Sequence, residues 1–319
     1  MPTPKLKDST LIEMLDMLEE CNGSQKLAAT KLGISHTTFK SRVDIAIQRG
    51  LRPTSGKDVS KAARGMHSLP KSIPLGEQSY HLSGERSILV MSDIHIPYHD
   101  EQALEIAIEY GIKQKADTII LNGDIIDCAA LSRHEKTPAQ RMGLEGEISK
   151  TREFLAFTRA TFPDAEILFN EGNHCHRLPA YISAHAPELW TLAQLSMQSL
   201  LHLGQYGIKW LSSMQHLTAG DLHIIHGHEY RKSGVNVARA TYIDASANVL
   251  TGHHHRSQEY THRNIDGKVF GVWTTGCLCQ LSQPWLPHNQ WVHGFAHIQL
   301  ESSGHFVVSN RKIIDGRTY

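Results

Sequence analysis

Five short apolar runs, each followed within a few residues by a motif rich in Asp, Asn or His, lie in series between residues 88 and 255. The runs are Ile88–Met91, Thr118–Leu121, Ala165–Phe169, Leu222–Ile225 and Ala247–Leu250. Runs of this length and composition predict buried strands. Because open α/β sheets bind ligands at the carboxyl ends of their strands, polar side chains at five strand ends can meet at one point. The sequence therefore predicts a polar cluster on an α/β fold.

The polar motifs contain side chains that bind divalent metal ions. They are Asp93-Ile94-His95, Gly123-Asp124-Ile125-Ile126-Asp127, Gly172-Asn173-His174, Ile225-His226-Gly227 and Gly252-His253-His254-His255. Imidazole, carboxylate and carboxamide groups suit borderline ions such as Mn, Fe, Zn or Ni, whereas thiolates are typical of structural zinc. The set is too large for one tetrahedral ion. If one carboxylate bridges, two ions roughly 3.5–4 Å apart can clamp phosphoryl oxygens.

This motif set resembles that of the calcineurin-like metallophosphoesterase superfamily, over about Ser87 to Tyr319. The resemblance implies an α/β (α+β sandwich) fold in which two packed β-sheets are flanked by helices. It implies a shared set of ligands for two divalent ions, with Asp93, His95 and His255 on one, Asn173, His226 and His253 on the other, and Asp124 bridging them. We expect Mn, with Fe, Zn or Ni as alternatives.

The same resemblance implies two residues that handle a proton. His174, beside Asn173, corresponds to the histidine that contacts the phosphate and protonates the leaving oxygen. Asp127 corresponds to the carboxylate that orients this histidine. The expected reaction is in-line attack on phosphorus by a metal-bridging hydroxide, with His174 as the general acid.

Two departures from the superfamily pattern narrow the substrate class. Members that act on phosphoserine and phosphothreonine place an Arg where this chain has Cys128, and an acid usually stands where this chain has Cys175. Both differences disfavour a protein phosphatase. The longer pattern resembles a phage and prophage branch often described as nucleases, and it covers Leu131–Arg133, Asn173–Leu178, His226–Glu229 and Asn289–Phe295.

Five further residues lie close in sequence to a ligand and are candidates for contact with the substrate phosphate. They are Arg133, His134, Arg177, His254 and Arg256. Arginine forms paired hydrogen bonds with phosphate, but a solvated side chain fits these positions equally well. The chain has 22 histidines, and those away from the motifs are expected to be surface or packing residues.

The first sixty residues have a different pattern, with helical rather than strand periodicity. Residues 9–21 carry an apolar stripe that predicts a helix. Ser24 can cap a second helix that ends at Gly33, and Ser35 can cap a third. On the third helix, Phe39, Val43, Ala46 and Ile47 share the apolar face. The sequence predicts three short amphipathic helices.

The turn around Gly33 closely resembles that of a helix-turn-helix unit, in which the last helix enters the major groove of DNA. The resemblance implies DNA contacts from the third helix through His36, Thr37, Lys40, Ser41 and Arg42. Residues 35–64 contain seven basic and two acidic residues, in a chain with 32 of each. This local excess favours a nucleic-acid partner. The alternative is a helical domain that serves protein contacts or dimerisation.

These patterns predict a helix-turn-helix domain over residues 1–52, a linker over 53–86 and a catalytic domain over 87–319. The catalytic domain is expected to contain helices at Glu101–Lys113, Glu145–Ala160 and Pro187–Leu203, and late strands at Val269–Thr275, Phe295–Leu300 and Phe306–Asn310. The chain has no apolar stretch near the roughly 20 residues of a membrane span. We expect a cytoplasmic protein with no membrane partner.

The leading hypothesis is a phosphodiesterase that hydrolyses DNA with two metal ions and is brought to DNA by its N-terminal domain. A phosphatase, or a phosphodiesterase for small molecules such as cyclic nucleotides, is the first alternative. A DNA-binding regulator with a vestigial site is the second, although the complete ligand set argues against it. The sequence leaves open strand preference, endonuclease or exonuclease action, and oligomeric state.

Overall fold

The computed structural model describes residues 6–58, 72–73, 79–133, 142–230, 236–282, 286 and 288–319. The chain forms two compact units, Met1–Leu75 and Gly76–Tyr319. None of the helices in the described ranges is long and apolar enough to cross a membrane.

The N-terminal unit contains three helices, Asp8–Glu20, Gln25–Lys31 and His36–Gln48. The side chain of Ser24 accepts a hydrogen bond from the backbone N–H of Leu27, and Ser35 accepts one from Thr38. Each serine satisfies a helix N–H that has no partner within the helix. Both predicted caps are thus confirmed. The buried apolar side chains form one core that includes Leu11, Leu15, Leu18, Ala28, Phe39 and Val43.

The chain after the third helix packs back on the first. The backbone N–H of Thr54 donates to Asp16 over 2.6 Å, and Lys57 pairs with Glu19 at 2.7 Å. Residues 53–57, which were predicted to belong to the linker, are therefore tied to the N-terminal unit. The other end of the predicted linker contains a short strand of the catalytic unit.

The catalytic unit contains two sheets. In chain order its strands are β1 (Tyr80–Leu82), β2 (Arg86–Met91), β3 (Thr118–Asn122), β4 (Glu166–Asn170), β5 (Ile208–Leu211), β6 (Leu217–Ala219), β7 (Leu222–Ile224), β8 (Asn248–Thr251), β9 (Gln258–Arg263), β10 (Val269–Thr274), β11 (His293–Leu300), β12 (Phe306–Ile314) and β13 (Arg317–Thr318). Its α-helices in the described ranges are Glu101–Lys113, Leu144–Thr161, Arg177–His185, Met197–Leu200 and Val237–Ala245.

The sheet order brings the motif-bearing strands side by side. The first sheet runs β13-β12-β11-β2-β3-β4-β5 and the second runs β1-β6-β7-β8-β10-β9. Strands β2 to β5 are parallel neighbours, as are β7 and β8. The predicted fold of two packed sheets flanked by helices is confirmed.

Alternating side chains on the central strands form two separate cores. On β2, Leu89 and Met91 pack against the helices, whereas Ile88 and Val90 pack toward the second sheet. Successive side chains on a strand point to opposite faces, so a strand between two layers must be apolar at every position. This requirement explains why the runs that precede the motifs are continuously apolar rather than alternating.

The prediction of one helix over Pro187–Leu203 is wrong. This stretch contains short 3-10 helices at Pro187–Leu189 and Ala193–Leu195, followed by the four-residue helix Met197–Leu200. Proline disfavours a helical conformation in the residue before it, and Ala186 is indeed outside the helical region, at φ −152° and ψ 58°. Ser196 then caps the last short helix, so local hydrogen bonding divides the segment.

Candidate metal centre

All five motifs leave the ends of strands β2, β3, β4, β7 and β8, so that loops from both sheets converge. Hydrogen bonds join these loops across the sheets. The backbone N–H of His253 donates to Asp93 Oδ2 at 2.9 Å, and that of His95 donates to the carbonyl of Asp124 at 2.9 Å. Five of the seven predicted ligands have positive φ, namely Asp93, His95, Asp124, His253 and His255. Such backbone conformations are uncommon outside glycine and concentrate at functional sites.

The first group of predicted ligands meets around two histidine nitrogens. His255 Nε2 lies 3.2 Å from Asp93 Oδ1 and 3.2 Å from His95 Nε2. His95 Nε2 is also 4.0 Å from Asp124 Oδ2. All four side chains are buried. The structure therefore brings together the whole set predicted for the first ion.

The second group shares the same aspartate. Asp124 Oδ2 lies 3.1 Å from His226 Nε2, and Asn173 Oδ1 lies 3.2 Å from the same nitrogen. Ligand atoms of Asp124, His226 and His253 lie within 4.8 Å of one another. Asp124 thus stands between two groups of donors, where a bridging ligand is expected.

The hydrogen bonds behind the imidazole rings indicate that this donor set fits cations. His226 Nδ1 is 2.9 Å from the carbonyl oxygen of Asn122, so Nδ1 must carry the proton in the neutral ring. The lone pair of Nε2 then faces oxygens of Asp124 and Asn173, an arrangement that is repulsive without a cation. His95 is held in the same way, with Nδ1 2.8 Å from Asp127 Oδ1.

A buried oxygen without a hydrogen-bond partner supports the same conclusion. The described residues give the buried Asp93 Oδ1 no hydrogen bond of good geometry, although His255 Nε2 lies 3.2 Å away. An unpaired buried carboxylate oxygen is costly, and a divalent ion held with His95 and His255 would satisfy it. Ligands whose outward nitrogens are fixed by a carboxylate or a carbonyl are typical of metal sites in proteins.

Without an ion, the protein balances the charges with protons. Burial lowers the pKa of His226, but the charge of Asp124 outweighs burial and raises the pKa to about 9. Burial opposes the charge of Asp93 at His255 in the same manner, and the pKa of His255 is raised to about 10. Burial raises the pKa of Asp124, but His174 and His226 hold this pKa well below its usual range. A metal ion binding here would replace protons on the two histidines.

His174 and Asp127 lie together beside these groups. His174 Nδ1 is 3.1 Å from Asp127 Oδ1 and 2.8 Å from the Asp127 carbonyl. Arg177 donates to the same carbonyl at 2.8 Å and faces His174 Nε2 at 2.9 Å. Nε2 therefore accepts from the guanidinium in this arrangement, while Nδ1 is the protonated nitrogen.

The other predicted phosphate contacts differ in how close they lie to the centre. Arg133 lines a groove together with Arg177 and Asn173. The ring of His254 is 4.8 Å from that of His253, and burial followed by the charge of Arg256 lowers the pKa of His254. Arg133, His254 and Arg256 do not belong to the ligand groups. His134 lies outside the described residues.

Several positioning residues were not anticipated from the sequence. Asn170 donates through Nδ2 to Asn122 Oδ1 at 2.9 Å, and Asn122 donates to the carbonyl of Ile225. This pair ties the ends of three strands beside His226. Asp127, which was predicted to orient His174, also contacts the predicted ligand His95, and this second contact had no sequence signal. The thiol of Cys279 lies 3.8 Å from His255 Nδ1, and a cysteine within an apolar stretch gave no signal.

In the N-terminal unit, the third helix presents the side chains predicted to contact DNA. His36, Thr37, Lys40 and Ser41 are exposed, and Arg42 is half-buried on the flank. Two of the basic residues counted in the local excess are paired with acids, Arg49 with Asp8 at 2.7 Å and Lys57 with Glu19. These pairs reduce the positive charge available to a partner.

Comparison with known sequences identifies the class of protein. The sequence model for calcineurin-like phosphoesterases matches residues 86–310. The Gene 54 protein of Mycobacterium phage D29 is 31% identical over 183 residues, which is 54% of this chain and 69% of that protein. The Gene 54 protein of Mycobacterium phage L5 is 30% identical over the same shares of the two chains. The chain belongs to the calcineurin-like phosphoesterase family.

Solved structures give more distant similarities. A single mutant of Vps29 from Entamoeba histolytica covers 73% of this chain and 96% of its own, with 14% identity and a TM-score of 0.41. Vacuolar Protein Sorting 29 from Cryptosporidium parvum covers 74% and 95%, with 15% identity and a TM-score of 0.40. Yfce, described as a phosphoesterase from E. coli, covers 70% and 97%, with 14% identity and a TM-score of 0.35.

Family membership and the two ligand groups define a metal-dependent phosphoesterase that uses divalent ions.

Proposed function

We propose that this phosphoesterase is a phosphodiesterase that hydrolyses DNA and that its N-terminal unit binds DNA. The observation that supports phosphoester hydrolysis is the pair of ligand groups that share Asp124. The preference for DNA is supported by the exposed polar and basic side chains on the helix His36–Gln48. Mn is the ion that we propose.

The residues of the centre would hold two ions in a fixed arrangement. Asp93, His95 and His255 would hold one, and Asn173, His226 and His253 would hold the other, with Asp124 shared. When bound, the ions would neutralise the phosphoryl oxygens and supply a nucleophile near neutral pH. The protein holds the ligand nitrogens ready by fixing His95 through Asp127 and His226 through the Asn122 carbonyl.

We propose that His174 protonates the leaving oxygen after Arg177 has moved onto the phosphate. In the structure, Arg177 faces His174 Nε2 at 2.9 Å and so occupies the nitrogen that must carry the proton. A bound phosphate is a better partner for a guanidinium than an imidazole is. Asp127 Oδ1, at 3.1 Å from Nδ1, would stabilise the charged ring that results.

An assay of substrate range tests the enzymatic part of the proposal. Purified protein with Mn²⁺ is offered single-stranded DNA, duplex DNA, RNA, a nitrophenyl phosphodiester and a nitrophenyl phosphomonoester. We expect hydrolysis of DNA and of the diester. Asp124→Asn should lose metal and turnover, whereas Asp164→Asn, an exposed aspartate away from the centre, should behave as wild type. Activity confined to the monoester would favour a phosphatase, and activity confined to small diesters would favour a small-molecule phosphodiesterase.

Binding measurements test the role of the N-terminal unit. Full-length protein should bind duplex DNA with an affinity that falls as salt rises, because phosphate contacts release counterions. Replacing Lys40 and Arg42 with Ala should weaken this binding and leave hydrolysis of the nitrophenyl diester unchanged. Binding that is unchanged in the double variant would refute the proposed DNA contacts and favour a protein partner. Binding without hydrolysis by the wild type would favour a regulator.

A further inference from the structure

A groove of about 490 Å³ begins beside the second ligand group, with Asn173 in its wall. One side is formed by residues 130–133 and the other by the helix Arg177–His185. None of the described residues that line the groove is Asp or Glu, whereas Arg133 and Arg177 both line it. A cationic groove that leads away from a phosphoester centre is suited to an anionic substrate larger than the reacting group.

The helix presents one regular face to this groove. Arg177, Tyr181 and His185 are spaced at i, i+4 and i+8, so they lie on the same side of the helix. Ala180 and Ala184 also line the groove, and their small side chains leave it open between the larger ones. At a rise of about 1.5 Å per residue, Arg177 and His185 are separated by roughly 12 Å along the axis. This length accommodates roughly three nucleotides of a stacked strand, at about 3.4 Å each.

The far part of this face is aromatic and accessible. The rings of Tyr181 and His185 lie 4.5 Å apart at an interplanar angle of 41°. Tyr181 is 48% exposed, although an aromatic side chain of this size usually buries its ring. Cationic side chains along a groove combined with an exposed aromatic ring are the arrangement that binds single-stranded nucleic acid, because every base can stack on such a ring.

We propose that this groove binds an unpaired strand next to the scissile phosphodiester, with Arg177 and Arg133 on phosphates and a base stacked on Tyr181. The inference rests on the proposed function and specifies its substrate as single-stranded nucleic acid at the point of cleavage. A paired base is already stacked in a duplex and cannot use Tyr181. Duplex DNA would therefore need a frayed end, a gap or a flap to be cut.

The test compares Tyr181→Ala with Tyr181→Phe in the full-length protein with Mn²⁺. The substrates are a DNA trinucleotide and methyl nitrophenyl phosphate, a diester without a base. Tyr181→Ala should lower kcat/KM for the trinucleotide about 5- to 150-fold, the effect of losing one base stack, and Tyr181→Phe should stay within about twofold of wild type because the ring is kept. All variants should hydrolyse methyl nitrophenyl phosphate at the wild-type rate. Tyr319→Ala, which removes a tyrosine that is 60% exposed and outside the groove, should change neither rate.

The outcomes separate this inference from the proposed function. Equal losses of Tyr181→Ala on both substrates, or no loss on either, would overturn the stacking role while leaving the phosphodiesterase in place. If the wild type hydrolyses no DNA, the trinucleotide is tested as an inhibitor of methyl nitrophenyl phosphate hydrolysis. Inhibition that weakens in Tyr181→Ala would support the groove although the nuclease proposal had failed. Absence of inhibition would overturn the proposed groove as well as the nuclease proposal.

Discussion

Gly123→Ala tests whether the close packing of the strand ends sets the position of a metal ligand. A Cβ atom at Gly123 would lie 2.2 Å from His226 Nδ1 and 2.4 Å from its Cγ, where real contacts are not shorter than 3.0 Å. The buried ring must therefore move by at least the difference between 3.0 and 2.2 Å, or 0.8 Å. His226 Nδ1 also lies 2.9 Å from the Asn122 carbonyl, so moving the ring breaks the hydrogen bond that fixes it.

Gly123→Ala is expected to lower both the stability and the function of the protein. The positive φ of Gly123, +83°, imposes roughly 1–2 kcal/mol of backbone strain on alanine. The broken hydrogen bond leaves a buried group unsatisfied, which costs about 1–3 kcal/mol. For function, a ligand misplaced by nearly 1 Å should lower turnover about 10²-fold, and disturbing the group that orients a ligand should lower metal affinity about 10- to 100-fold.

The matched control is Gly84→Ala. Gly84 has a nearly identical φ of +80°, but its Cβ atom would meet nothing within 4 Å. This variant therefore imposes the same backbone strain in the same unit without touching the centre. Metal content is measured by mass spectrometry after gel filtration, stability by urea unfolding, and kcat/KM on a nitrophenyl diester at saturating Mn²⁺. Metal content and turnover in Gly123→Ala equal to those in Gly84→Ala would refute the predicted displacement of His226.

Three further predictions concern the proton-handling and ligand histidines. Because Asp127 Oδ1 contacts Nδ1 of both His95 and His174, Asp127→Asn should lower metal affinity about 10- to 100-fold. His174→Ala should leave metal affinity intact. It should slow the hydrolysis of substrates with an alkoxide leaving group about 10²- to 10⁴-fold, with little effect on substrates that release nitrophenolate. The rate of the double variant should fall by less than the product of the two single losses. Equal metal affinities in titrations of the two single variants would contradict the contact of Asp127 with a ligand histidine. The pKa values of about 9 for His226 and about 10 for His255 predict that metal binding at pH 7.5 releases protons, so that affinity rises with pH by up to about tenfold per unit per histidine. Since both pKa values are raised on folding, the metal-free protein should lose stability as pH rises from about 6.5 through 9 to 10. Calorimetry in two buffers of different ionisation enthalpy measures the proton release, and a pH-independent affinity would argue against it.

The local sequence pattern predicted that the polar motifs converge, whereas their division into two ligand groups came from the family resemblance. An apolar run followed by a polar turn marks a strand end, and parallel strands such as β2, β3 and β4 place their carboxyl ends along one edge of a sheet. The converging positions could therefore be inferred without knowing the strand order. The second contact of Asp127, with His95, could not be inferred, because it depends on how two loops cross above the sheet.

Other parts of the site depend on packing that leaves no periodic signal. In the sequence Asn122 and Asn170 have the character of turn residues at strand ends. In the structure both are buried, and Asn170 donates a hydrogen bond to Asn122. The segment at Pro187–Leu203 has the apolar content of a helix, although Pro187 and Ser196 were available as break signals. The helix Arg177–His185 was not predicted, because it begins directly after a ligand motif and its first residue, Arg177, was considered only as a substrate contact.

The predicted ligands with positive φ are held in place by groups outside the ligand set. We therefore expect the centre to keep its geometry when an ion or one side chain is lost. Each positive φ at a residue such as Asp93 or His255 costs roughly 1–3 kcal/mol, so the fold must hold these residues against their own preference. It does so from outside the ligand set, through buried groups such as Asn122 and Asn170 and through backbone hydrogen bonds between the loops. We therefore expect Asp124→Asn to lose metal binding and to keep this framework. Substitutions of the predicted ligands should therefore lower metal content and turnover more than they lower the stability of the fold.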